Sequence, residues 1–242
     1  MKTYIFARRC TKELLRDPIN IAFGLGFPVA LLLLLSAIQA NIPTDLFAIA
    51  HLAPGITVFG LAFITLFSAT LIARDRESAF LQRLYTTPLT AKDFILGYML
   101  PLIPLALAQG FVTYLTAVFL GLPINIRIFY SLILLLPVSV FYISLGLLCG
   151  SILNVKQVGG VCGALLTNVS AWLSGVWFDL ALVGEGFQKA AQLLPFSHAV
   201  ELQRAAIGGN FSGILPHLWP VLLYGILTTW AAIGLFLKQM KQ

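Results

Sequence analysis

Six stretches of this chain carry no Asp, Glu, Lys or Arg and are each long enough to cross a lipid bilayer: 18–41, 46–73, 94–126, 128–155, 157–178 and 205–237. A helix needs about 20 apolar residues to span the hydrocarbon. Hydrophobic residues make up 59% of the 242 and charged residues 10%, against about 25% charged in a soluble domain. A water-soluble fold of this length cannot hide that much apolar surface. The pattern predicts an all-α membrane protein, six transmembrane helices in a single domain over 1–242. Runs longer than a span must include loop or tilt.

Local signals mark the ends. Asp17-Pro18 reads as an N-cap followed by Pro in the first helical position. Pro54-Gly55 reads as the opening of the second span, and Thr90-Ala-Lys-Asp93 as a capping-box start for the third. Asn154 to Gln157 form a short turn between the fourth and fifth. Pro101, Pro104 and Pro137 fall inside spans, where each removes a backbone donor. Gly146 and Gly150, with Gly159 and Gly163, have the GxxxG spacing that lets helices approach closely. They flank the short turn, so tight packing of the fourth and fifth spans is expected.

The net charge is +6, and its distribution sets an orientation. With the N-terminus inside, that side holds Lys2, Arg8, Arg9, Lys12, Arg16, Arg74, Arg76, Arg83, Lys92, Lys156, Lys238 and Lys241; the other holds Arg127, Lys189 and Arg204. The excess places both termini in the cytoplasm, in the cell (inner) membrane. The same clustering argues against nucleic-acid binding. Residues 1–17 have no signal-peptide pattern; basic groups mixed with Tyr4, Ile5, Phe6, Leu14 and Leu15 predict an interfacial helix. The uncharged run 190–200 is too short to cross, and residues 180–210 around it predict a pair of short re-entrant helices on the outer side.

Several chemistries lack their residues. Cys10, Cys149 and Cys162 have neither disulfide nor zinc spacing, and His51, His198 and His217 share no metal-ligand pattern. No phosphate-cradling G-x-x-x-x-G-K-[ST] loop occurs, so ATP chemistry would sit on another chain. No ionisable residue lies at mid-span, as ion-coupled carriers usually require. Asp179, Glu185, His198 and Glu201 keep open one alternative, a membrane enzyme acting on lipid from the outer side.

The longest inner loop, 74–93, is charged in its first ten residues and places Phe80, Leu81 and Leu84 at helical spacing, ended by Pro88. Its Arg-Asp-Arg-Glu-Ser and Leu-Tyr-Thr-Thr-Pro-Leu segments resemble the loop of type-2 permeases of ATP-binding-cassette exporters. Leu52-Ala-Pro-Gly55 and Leu194-Pro-Phe-Ser-His-Ala-Val-Glu-Leu-Gln-Arg-Ala-Ala-Ile-Gly208 match in the expected order. Ala79 stands where such proteins often have Gly. The resemblance implies a permease dimer, homodimeric or heterodimeric, that docks a cytoplasmic ATP-binding-cassette subunit carrying ATP and Mg. It implies that 74–93 is the coupling helix, with Arg74, Arg76, Glu77, Leu81, Leu84, Thr86, Thr87 and Pro88 as the coupling positions. The second and fifth spans would line the cargo cavity. There Thr57, Phe59, Phe63 and Phe67, and Thr167, Asn168 and Trp172 with Ser170, supply an aromatic, lightly polar surface suited to a hydrophobic or amphiphilic cargo such as a drug, antibiotic or lipid. Pro195, His198 and Glu201 would form an outer re-entrant gate.

Overall fold

The computed structural model describes residues 2–43, 47–78 and 90–239. Its described residues are helical, with no strand among them. In chain order the helices are α1 (Lys2–Leu15), α2 (Pro18–Gln39), α3 (Ile49–Glu77), α4 (Ala91–Phe119) and α5 (Ile126–Ile152). Next comes α6, a continuous run that is α over Val155–Val158, π over Gly159–Leu166 and α over Thr167–Ser174. Then follow α7 (Glu185–Gln192), α8 (Pro195–Gly208) and α9 (Ile214–Gln239). α2, α3, α4, α5 and the last helix are long and apolar enough to cross a membrane.

Local chemistry sets the boundaries. Asp17 caps α2 by accepting from the Asn20 N–H, with Pro18 in the first turn. Thr90 and Asp93 close a reciprocal capping box on α4, and Asn154 and Gln157 do the same on α6. The second long helix departs from the expectation. It begins at Ile49, so Pro54 lies inside it and not at its opening. Residues 180–210 do hold short helical segments, Leu180–Leu182, α7 and α8.

α3 is the axis of the bundle: 83% of its most apolar window is buried, against 17% for α2 and 22% for α9. A helix covered that fully must have small contacts somewhere, and α5 supplies them. A Cβ at Gly146 would meet the Thr65 carbonyl and Ser68, and one at Gly150 would meet the Ala69 backbone. Thr65 donates to the Tyr142 carbonyl at 2.8 Å and Ser68 to the Ile143 carbonyl at 2.9 Å. Gly163 of α6 faces Leu66 of α3, while Gly159 and Gly160 face open space. Gly146, Gly150 and Gly163 therefore face α3, while α5 and α6 meet around Cys149 and Cys162. The fourth and fifth spans are in contact, but the glycines serve the approach to α3, which has its own small and hydroxyl side chains at the same depth.

Replacing Gly150 by Val should therefore force α5 off α3 and destabilise the protein by about 1–3 kcal/mol, the usual cost of overpacking. Gly159→Val should lie within about 0.5 kcal/mol of wild type. Thermal unfolding of the two variants in one detergent checks the pair.

Candidate functional site

The last turn of α3 is Arg74-Asp75-Arg76-Glu77, and its four side chains reach four different elements. Asp75 is buried, at 2% exposure. A carboxylate sealed in this way must be paired and hydrogen-bonded. Both guanidinium nitrogens of Arg9 in α1 donate to it, Nη2 at 2.5 Å to Oδ1 and Nη1 to Oδ2. The Tyr98 hydroxyl of α4 donates to Oδ2 at 2.7 Å. Arg9 also pairs with Glu13 at 2.7 Å, and Arg74 with Asp17 at 3.2 Å.

The remaining two side chains grip the turn between α5 and α6. Arg76 donates to the Ser151 carbonyl and, at 2.5 Å, to the Leu153 carbonyl. Glu77 accepts the Val155 N–H at 2.8 Å. A cation thus sits on the carbonyl end of one helix and a carboxylate on the amide end of the next, the sense favoured by both helix dipoles.

The charges around α1 respond to this setting. Burial opposes the Arg9 charge, but the hydrogen bond and attraction from Asp75 outweigh it and leave the guanidinium pKa raised. Burial, then the nearby Asp75 charge, pushes the Glu13 carboxyl up, against the pull of Arg9 and Arg74. Burial pushes the Cys10 thiol up to about 12, so it stays a neutral, close-packed hydrophobe. α1 is also fixed by Phe6, which packs edge-on against Phe94 and Tyr98, and by Thr3, which donates to Asp93 at 2.5 Å. Tyr4, Ile5 and Leu15 remain exposed.

The sequence-derived positions separate into groups. Arg74, Arg76 and Glu77 lie in the junction. Leu81, Leu84, Thr86, Thr87 and Pro88 lie outside the described residues. Phe59, Phe63 and Phe67 share a face, and it packs on α2: Phe27 lies 6.4 Å from Phe59 and 5.2 Å from Phe63, and Phe67 lies over Gly24. Thr57 is buried and bonds the Ala53 carbonyl. Thr167 points inward and bonds the Cys162 carbonyl five residues back, the spacing of the π segment. Asn168 and Trp172 are exposed. Within one chain these seven residues do not converge on one cavity.

At the opposite end of the bundle, His198 Nδ1 lies 2.9 Å from His217 Nδ1 of α9, and His198 Nε2 lies 2.9 Å from the Gln192 carbonyl. Since that carbonyl can only accept, His198 offers its Nδ1 lone pair and His217 donates. Glu201 pairs with Arg204 at 2.8 Å, Pro195 occupies the first turn of α8, and Ser197 bonds the Ala191 carbonyl. Asp179 caps Ala181 and Glu185 pairs with Lys189. Each acid here has its own local partner.

Sequence reasoning missed a buried polar group at span depth. Tyr114 and Ser131 both meet Gln203 Oε1 and each other, and Gln109 donates to Thr113 at 3.2 Å. Gln109 Oε1 and Gln203 Nε2 have no partner among the described residues. Gln109, inside an otherwise apolar run, was the available signal, since lipid-facing amides are costly; Gln203, beside Arg204, gave none.

What these observations define is a multi-pass membrane protein, with ionic side chains gathered at one end of an apolar bundle and at the start of its longest loop. The sequence profile of the ABC-2 type transporter family matches residues 1–207, and the chain belongs to that family as a membrane component. It is similar to nodulation protein J of Sinorhizobium fredii, 23% identical over 230 residues that cover 93% of this chain and 85% of the relative. It is also similar to nodulation protein J of Bradyrhizobium diazoefficiens, 24% identical over 233 residues with the same coverage of each chain.

Asp75→Asn should cost about 1.5–3 kcal/mol, because charge-assisted bonds are lost from a buried group, and should raise hydrogen exchange throughout α1. Arg74→Gln, which breaks an exposed pair, should cost less than about 1 kcal/mol. Unfolding midpoints and exchange mass spectrometry separate the two.

Proposed function

We propose that this chain is the permease subunit of an ATP-binding-cassette exporter. It moves a hydrophobic or amphiphilic cargo out of the cytoplasm or inner leaflet, using ATP hydrolysed with Mg on a separate nucleotide-binding subunit. The single observation that supports this reading best is the α3 junction, where consecutive residues lead straight into the amphipathic loop and also hold α1, α4 and the α5–α6 turn. A push on the loop by a docked subunit would be felt by all of them at once. Chemistry by this chain itself has no such support, since the acids that an outer-side lipid enzyme would need are each engaged locally.

In this reading α6 is the fifth of six crossings, its π segment giving a helix of altered pitch in the wall of the pathway. Both termini and the junction face the cytoplasm of the cell (inner) membrane. α1 lies in the interface with Tyr4, Ile5 and Leu15 in lipid, and Arg8, Lys12 and Arg16 face the docked subunit or anionic headgroups. α7 and α8 dip into the outer leaflet as a gate. Two permease copies meet so that the exposed Asn168 and Trp172 join the pathway between them, with the aromatic cluster of Phe59 and Phe63 behind. The loop 74–93 is where the nucleotide-binding subunit docks.

The test is co-expression with the nucleotide-binding subunit, followed by co-purification and ATPase assay in lipid. Leu84→Asp should reduce subunit recovery about tenfold or more, as loss of a buried interface anchor does. Glu77→Ala should retain the subunit but lose cargo-stimulated hydrolysis, because the α5–α6 turn is released. Normal transport by both variants would contradict the coupling assignment, and uphill transport by the chain alone would contradict the proposed function.

A further inference from the structure

At the end of the bundle away from α1 there is a cavity of about 410 Å³ lined by His51, Leu122, Pro123, Arg127, Arg204, Ile207 and neighbouring residues, with no carboxylate among the described residues of its wall. Arg127 is held against the C-terminus of α8. It donates to the Gly208 carbonyl at 3.1 Å, and its guanidinium lies over Gly209, where a side chain would strike it and φ is +76°. An arginine has five N–H donors, so most of those on Arg127 are unclaimed. Each guanidinium nitrogen of Arg204 already donates once, to Glu201 at 2.8 Å, to the Gly175 carbonyl at 2.9 Å and to the His51 carbonyl at 3.4 Å, so Arg204 contributes chiefly its charge and its two remaining N–H groups. Glu201, the acid paired with Arg204, lines the adjoining pocket.

Two helix starts add to the field. α5 begins at Ile126, and its Arg127 and Ile128 line the cavity. α3 begins at Ile49 beside Ala50, and its N-cap Ala48 makes no side-chain bond to the first-turn amides. Asn125 already caps α5 by accepting the Arg127 N–H, whereas no side-chain cap on α3 occurs among the described residues; the start of α3 beside two arginines favours an anion. The floor is apolar, from Leu122, Pro123, Ile128 and Ile207. Beside it in sequence stand Phe119, Ile124 and Ile126, exposed at 82%, 83% and 62%.

We propose that this basin binds the phosphate of an anionic amphiphile. Arg127 and Arg204 contact the headgroup, the first turn of α3 supplies amide donors, and the hydrocarbon lies over the exposed rim. A bare anion would use the arginines but not the apolar floor and rim, which is why a lipid is the occupant assigned. The site is independent of the coupling scheme and is tested without ATP.

The experiment uses the purified full chain in neutral detergent with a photoactivatable phosphatidylglycerol, and the adducts are mapped by mass spectrometry. Adducts should fall within 122–128 and 204–208, and the matched phosphatidylcholine should give few. Arg127→Gln should lower the yield about tenfold, the scale of one charge-assisted bond, and Arg127→Lys should keep most of it. Ala50→Glu is a second variant that does not strain the fold, since an acid in a first helical turn is favourable; it should also lower the yield. Equal labelling by phosphatidylcholine, or unchanged labelling in Arg127→Gln and Ala50→Glu, would overturn the proposal. Loss of labelling in millimolar inorganic phosphate would assign the site to the free anion and overturn the lipid.

Discussion

A carboxylate has to be neutralised when it is taken out of water, and Asp75 is the charged side chain that this chain buries among its described residues. Much of the architecture at that end follows from satisfying it. Arg9 must come from α1, which fixes that helix beneath the bundle. Tyr98 must come from α4, which fixes the register of the helix that follows the loop. Both are held by aromatic packing around Phe6, so the ionic contact is shielded from solvent on its apolar side. Breaking one partner leaves an uncompensated charge, which makes the arrangement all-or-none in a way that an exposed ion pair is not.

The same turn of α3 makes a second kind of contact. Arg76 and Glu77 recognise backbone carbonyls and an amide at the α5–α6 turn. Such contacts read geometry and not side-chain identity, so they hold only while the turn keeps its shape. Together the two sets make the end of α3 a rigid node between a loop and four helices. Farther along α3, Thr65 and Ser68 bond directly to α5 carbonyls, so displacement at the node is passed along a close-packed helix pair instead of being absorbed by slack side chains.

The helices and their caps were legible because their signals are local: an uncharged run, Asp17 before Pro18, Thr90 with Asp93, Asn154 with Gln157. Partners across the bundle were not. The spacing of Gly146 and Gly150 says that a neighbour comes close but not which one, and it proved to be α3. The three phenylalanines of α3 share a face as their spacing requires, but only the packing shows that α2 covers it. Asp75 stood in plain view in a charged loop; nothing in the sequence says that it turns inward while Arg74 stays out. Gln109 was hidden by the apolar character of its neighbours, and Gln203 by its place between Glu201 and Arg204, where an amide reads as surface. The amphipathic part of the loop, with Leu81 and Leu84, lies outside the described residues, so its role rests on sequence and family.

The central claim is that the α3 node carries displacement from the loop to α1 and to the α5–α6 turn. Hydrogen exchange of the complex with its nucleotide-binding subunit, with and without ATP, tests it most directly and needs no knowledge of the cargo. The account predicts that nucleotide alters protection together at the end of α3, in α1 and at 151–157. In Asp75→Asn the change should survive at the end of α3 and vanish in α1. The same nucleotide-dependent change in α1 in both proteins would contradict it.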